Sequence, residues 1–154
     1  MTVAIRAATH EDRDAMITLL PRLADFDIPP GRNPEHLWSG DRDMLLSWLD
    51  GKAPNVSALV ATDDDTLLGF TLLSFREEML SHEPSAHLEV LVLAKEAEGR
   101  GVGKALIAST ETLAIDGGAT SMSLHVFARN TRARGLYERM GFDGELLRYY
   151  KPLV

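Results

Sequence analysis

The 154-residue chain has no cysteine. That absence excludes a disulfide framework, a thiolate metal site and a cysteine-bound acyl intermediate. Long apolar runs are missing as well: residues 67–73 and 88–94 are the longest, far short of the ~20 residues a membrane span needs. The apolar start of the chain is broken at Arg6 and followed by charges, unlike a secretory leader. Cations are outnumbered, with 16 Lys and Arg against 23 Asp and Glu for a net charge of −7. An acidic chain argues against nucleic acid and anionic membranes, which need Lys and Arg to neutralise phosphate. The expectation is a cytoplasmic protein with neither as partner.

What is present suffices for a core. At this length one domain over residues 1–154 is the simplest reading, burying about 68–70% of the unfolded chain's surface. The charge is divided unevenly. Residues 1–94 hold 7 basic and 16 acidic side chains, whereas residues 95–154 hold 9 basic and 7 acidic.

Periodicity gives a coarse map. Val3, Ile5 and Ala7 suggest a short strand, and Thr9 with Asp12 forms a capping box ahead of a helix that Pro21 must kink or split. Residues 28–40, with Pro29, Pro30, Gly31 and Pro34, read as a loop before a second helix over 41–50. Residues 56–61 and 66–75 flank three aspartates and read as a hairpin, with Gly69 marking a bulge. Residues 86–94 read as a buried strand, 101–117 as a helix, 121–128 as a strand, 131–140 as a helix and 145–151 as a last strand. His87 is read as facing the opposite side of its strand from Glu89. No internal repeat or linker interrupts this mixed α/β order.

The most informative stretch runs from Leu88 to Ala105, where a strand enters a loop holding Gly99, Gly101 and Gly103 and then a helix. Alternate glycines let the main chain turn tightly and expose successive N–H groups toward the helix start, which suits phosphate. A Walker loop is excluded because Gly103-Lys104 is followed by Ala105 rather than Ser or Thr. A dinucleotide turn belongs after the first strand of the chain, and this one lies two thirds of the way along. Downstream, Asn130, Ala133, Tyr137 and Gly141-Phe142 place an amide at a helix start and a phenol two turns later.

Together the two segments resemble the Gcn5-related N-acetyltransferase (GNAT) superfamily. Its first motif is Arg or Gln, two residues, Gly, one residue, Gly or Ala, and its second is Asn, two residues, Ala, three residues, Tyr. The resemblance covers residues 88–142. Two positions depart from it: Glu98 stands where Arg or Gln is usual, and Lys95 where proline is common. A carboxylate beside a pyrophosphate is repelled, so Glu98 is expected to point outward, with Arg100 and Lys104 supplying the missing cation.

The resemblance implies an α/β fold with a central, mostly antiparallel sheet flanked by helices. It implies direct transfer of an acetyl group from acetyl-CoA to a primary amine. His82, His87 and His125 form no tight metal-ligand pattern, so no metal is expected. Leu91, Val92 and Leu93 would pair with the pantetheine arm and polarise the thioester carbonyl. The pyrophosphate would sit on the N–H groups of Gly99, Arg100, Gly101, Val102, Gly103 and Lys104, and Asn130 would contact the arm. Glu89 matches the acidic position that takes the amine's proton in some members, and Tyr137 the phenol that protonates the leaving thiolate. The acceptor is a small molecule or a lysine. The acidity of the first 94 residues, including Asp25, Asp27, Glu77, Glu78 and Glu83, points to a cationic one. A protein lysine or N-terminal acetyltransferase and a non-catalytic acyl-CoA sensor are the alternatives, and the terminal strand is a candidate edge for a homodimer.

Overall fold

The computed structural model describes residues 2–154. Its sheet has five strands in the order β1-β2-β3-β4-β5: β1 (Ala4–Ala7), β2 (Val56–Asp63), β3 (Thr66–Glu77), β4 (Pro84–Leu93) and β5 (Ser121–Leu124). The first three pairings are antiparallel and the last, β4 with β5, is parallel. Four helices flank it: α1 (Arg13–Leu19), α2 (Ser39–Leu49), α3 (Val102–Asp116) and α4 (Thr131–Arg139).

The capping box forms as expected, the Thr9 amide donating to Asp12 Oδ2 at 2.8 Å, and Arg6 forks onto the same carboxylate at 2.8 and 2.9 Å. Pro21 ends α1, and the chain continues as a tighter 3-10 turn over Leu20–Ala24. Between β2 and β3 the hairpin closes at Asp63 opposite Thr66, with Asp64 in the left-handed region. The register then slips so that Leu68 is the extra residue beside Gly69.

The sheet buries both faces. α1 and α2 cover one, where Met16, Leu20 and Leu45 pack with Val60, Phe70, Leu72, Val90 and Val92. α3 covers the other, with Val102 and Leu106 against Leu68, Leu91 and Leu93. Each fully buried large apolar side chain contributes about 1.5–3 kcal/mol. Thr71 and Thr110 share a 2.9 Å hydrogen bond inside the α3 face, and Thr110 also donates to the Leu106 carbonyl at 2.7 Å, so no buried hydroxyl is stranded.

Two strand expectations are corrected. The fifth strand stops at Leu124 rather than running to residue 128, and residues 145–151 form no strand. In that last segment apolar residues come in pairs, Leu146-Leu147 and Tyr149-Tyr150, so no single face of an extended chain collects them. Leu146, Leu147 and Tyr149 are exposed, and Tyr150 lies under the Arg32 guanidinium, 3.7 Å from the ring centroid.

Candidate active site

The site begins where β4 and β5 part. Their parallel register runs from Ser85 opposite Ser121 to Leu88 opposite Leu124 and then ends. Past Leu88 the outer edge of β4 has no strand beside it. The Ala94 amide donates to the Leu68 carbonyl on β3 at 2.8 Å, which sets the phase of the alternation. Val92 therefore turns its main-chain groups to β3, while Leu91 and Leu93 present theirs to the open edge. Arg22, from the turn after α1, has reached that edge: its Nε donates to the Leu93 carbonyl at 2.6 Å.

At the end of this edge lies the glycine loop. Gly99 and Gly101 have φ of +73° and +79°, a region costly for residues with a Cβ. These two positions turn the chain into α3 with its N-terminus toward the cleft. The first ladder bond of α3 runs from the Ala105 amide to the Gly101 carbonyl at 3.0 Å, leaving the amides of Val102, Gly103 and Lys104 outside the ladder. At Gly103 an added Cβ would come within 3.2 Å of Leu136 Cδ2 and 3.4 Å of Leu93 Cδ1, so a larger side chain would wedge the loop away from α4 and β4. Asn130 caps α4: its side-chain oxygen accepts from the Ala133 amide at 3.3 Å, which leaves its NH₂ group outside that bond.

Glu98 does not point outward. It bridges two cations, pairing with Arg22 through one oxygen and with Arg132 at 2.6 Å through the other. Two guanidinium groups neutralise the carboxylate that the sequence placed beside the glycine loop, and the bridge ties the α1 turn, the loop and α4 together. Arg100 turns its guanidinium onto the Glu96 carbonyl at 3.0 Å, while Lys104 is exposed. Arg22 and Arg132 thus reach the loop through Glu98.

On the α2 face of β4 sits a polar cluster. Leu72 pairs with Val90 and Leu73 with Leu88, so Glu89 is the extra residue of a bulge in β4. The bulge leaves Glu89 on the same side as Val90, where Glu89 Oε1 accepts from Ser74 Oγ at 2.9 Å and Arg76 at 2.7 Å. His87 shares that side, contrary to expectation, because residues two apart on a strand face the same way. It is buried, with Nδ1 2.8 Å from Ser123 Oγ and its ring edge-on to His125 at 4.7 Å. Burial, then the nearby Arg76, lower its pKa to about 4, so it is a neutral imidazole at physiological pH; Glu89 pulls the other way and His125 adds to the lowering. Asp41, in the first turn of α2, has its pKa raised to about 7 by burial and then by the charge of Glu89. On α4, burial pushes the Tyr137 phenol up to about 12, and its ring meets Phe142 edge-on at 6.0 Å.

The acidic residues expected to attract a cationic acceptor are engaged within the fold. Asp25 pairs with Arg22 at 2.7 Å, Asp27 with Arg129, and Glu77 with His82 at 2.6 Å, while Glu78 accepts the amides of Leu80 and Ser81. Phe26 packs on Phe127 with ring centroids 5.7 Å apart. Sequence reading missed Arg22, Asp41, Ser74 and Arg76. Only Ser74 and Arg76 left a trace in it, as alternate residues on the strand paired with β4.

A mostly antiparallel sheet that opens beside a glycine loop and a helix N-terminus at the end of its central strand defines an acyltransferase-type fold. The profile described as the acetyltransferase (GNAT) family matches residues 20–142, and the chain belongs to that family of N-acetyltransferases. Over 143 residues it is 28% identical to the peptidyl-lysine N-acetyltransferase YjaB of Salmonella typhimurium, covering 92% of this chain and 84% of that one. A mycothiol acetyltransferase of Renibacterium salmoninarum is 29% identical over 132 residues, 85% of this chain but 38% of its own length. The fold superposes on an acetyltransferase structure from Pyrococcus furiosus with a TM-score of 0.78 at 21% identity, covering 99% of this chain and 100% of that one.

Proposed function

We propose that the protein transfers the acetyl group of acetyl-CoA to an aliphatic primary amine of the lysine side-chain type, by direct attack while both substrates are bound. One observation carries this reading: the open β4 edge at Leu91 and Leu93 runs straight into the free amides of the Gly99–Lys104 loop. An extended amide-bearing arm ending in a diphosphate fits that sequence of donors. The arm takes the strand position that β5 vacates, the diphosphate takes the loop and helix N-terminus, and the Asn130 NH₂ group faces the arm. An amide on the open edge polarises the thioester carbonyl.

The amine enters on the α2 face beside Glu89, where it must lose a proton before its lone pair can attack. Nitrogen bonds to the carbonyl carbon, the carbon–sulfur bond breaks, and the sulfur leaves as thiolate. Tyr137 supplies the proton it needs. Its phenol is a weaker acid than a free thiol, of pKa about 8.5, so the transfer runs together with loss of the proton from the positively charged nitrogen of the intermediate. That second proton restores the phenol. The similarity to a peptidyl-lysine acetyltransferase supports the lysine-type acceptor.

Calorimetry with acetyl-CoA tests the donor, and a thiol-release screen over alkylamines, polyamines, amino acids, aminoglycosides and lysine peptides tests the acceptor. Sub-millimolar acetyl-CoA binding with turnover of alkylamines or lysine peptides is expected. Tight acetyl-CoA binding with no acceptor turned over would favour a sensor instead.

A further inference from the structure

The open edge of β4 is not bare. An unpaired strand edge exposes main-chain groups to any extended chain, and one of them is already covered by a side chain from the turn after α1. Arg22 Nε donates to the Leu93 carbonyl at 2.6 Å. The same guanidinium pairs with Asp25 at 2.7 Å through Nη1 and with Glu98 through Nη2, so every nitrogen of the group is engaged. Asp25 is exposed and water screens that pair, which leaves the Leu93 carbonyl and Glu98 as the partners that fix the half-buried group.

Both of those partners resemble what a bound donor would supply or claim. The Leu93 carbonyl is an acceptor that an added strand takes with an N–H of its own. Glu98 is an anion one residue before Gly99, at the start of the loop whose following amides, Val102, Gly103 and Lys104, stand outside the α3 ladder. Release of Arg22 would strand neither end. Glu98 keeps Arg132 at 2.6 Å on its other oxygen. Leu20 and Leu23, on the same turn as Arg22, pack into the core, so the main chain is anchored and the exchange is a swing of one side chain.

Building on the acetyltransferase reading, we infer that Arg22 is an exchangeable latch on the donor site and sets its selectivity for a donor that carries a diphosphate. In the free protein it holds the Leu93 carbonyl and Glu98. When acetyl-CoA binds, an amide of the arm takes the Leu93 carbonyl, and the guanidinium turns from Glu98 to the diphosphate in a charge-assisted pair. One side chain links the two exchanges. A donor with both arm and diphosphate replaces what the latch gives up. S-acetylpantetheine, which has the arm alone, displaces the guanidinium from the edge and gives it no anion in return. The fold thus holds a competitor that works against truncated donors.

The test compares these two donors in the parent, Arg22→Met and Arg22→Lys. Acetyl-CoA affinity is read by calorimetry, and S-acetylpantetheine affinity by NMR titration of the Leu91 and Leu93 amides. Arg22→Met keeps an apolar stem and removes the cation. It should bind acetyl-CoA about 10-fold more weakly and S-acetylpantetheine about threefold more tightly, because the edge is then unoccupied. Arg22→Lys keeps the charge and should hold acetyl-CoA within about threefold of the parent. In the parent, the Arg22 Nε–H resonance, identified by its loss in Arg22→Lys, should shift on saturation with acetyl-CoA. That measurement is made on the parent, so it stands even where Arg22→Met fails to fold. An Arg22 that only builds the edge weakens both donors by one factor in Arg22→Met, and that result overturns the latch. Unchanged acetyl-CoA affinity in Arg22→Met overturns it too, as does an Nε–H resonance that acetyl-CoA leaves in place. A parent that binds neither donor overturns the acetyl-CoA reading and the latch with it.

Discussion

At the scale of single residues the site separates proton handling from charge. Tyr137 carries a phenol that burial pushes up to about 12, so it is fully protonated at any pH the enzyme would meet. Its hydroxyl has no protein partner among the described residues, so nothing but a bound thioester or water competes for its proton. Tyr137→Phe should lower kcat by about 100-fold with acetyl-CoA affinity unchanged, read by thiol release and by calorimetry. Because the phenol does not ionise in the working range, the basic limb of the parent's pH profile should be absent up to about pH 10. A basic limb near pH 8 would mean that another acid serves the thiolate.

Among the elements, the glycine loop was legible and the bulge in β4 was not, for opposite physical reasons. Positive φ at Gly99 and Gly101 is a local demand that glycine alone meets cheaply, so the residues announce the turn. In the run from Leu88 to Ala94 the charge of Glu89 is the one interruption, and it does not by itself mark an extra residue; pairing with β3 shows the bulge. Asp41 and Arg22 were illegible for a similar reason, since nothing near them in sequence says which strand they will meet. The terminal strand failed because pairs of apolar residues were read as strand-formers without a face to bury. Glu98 shows how a departure from a motif is absorbed: Arg22 and Arg132 close on it from two other elements. Glu98→Gln removes both pairs and also the negative charge beside the cradle. Partly exposed pairs contribute about 1 kcal/mol or less each, so Tm should fall by about 3 °C in the free protein. Coenzyme A should bind several-fold more tightly at low salt, an advantage that disappears as salt rises. Weaker binding at low salt would show that the bridge itself builds the phosphate site.

For the whole molecule, Asp41 and His87 set opposing pH dependences on either side of one cluster. Asp41 in the folded protein titrates near 7, above the ordinary 3.8, so the folded state keeps a proton that the unfolded chain releases, and stability falls as pH rises from about 4 to about 7. His87 titrates near 4, below the ordinary 6.5, so the unfolded chain binds a proton that the folded protein refuses, and stability falls as pH drops from 6.5 to about 4. Between roughly pH 4 and 6.5 each state binds one of the two protons and the slopes cancel. The parent's Tm should therefore be nearly flat across that window, as far as these two groups govern it. Removing either one exposes the other. Asp41→Asn should give a Tm that climbs with pH from 4 to 6.5 and lies above the parent's at pH 8, the two converging near pH 4. His87→Gln should give the reverse slope over the same range. Thermal melts of the three proteins at half-unit steps of pH check this, and parallel curves would show that Asp41 and His87 titrate as they do in the unfolded chain.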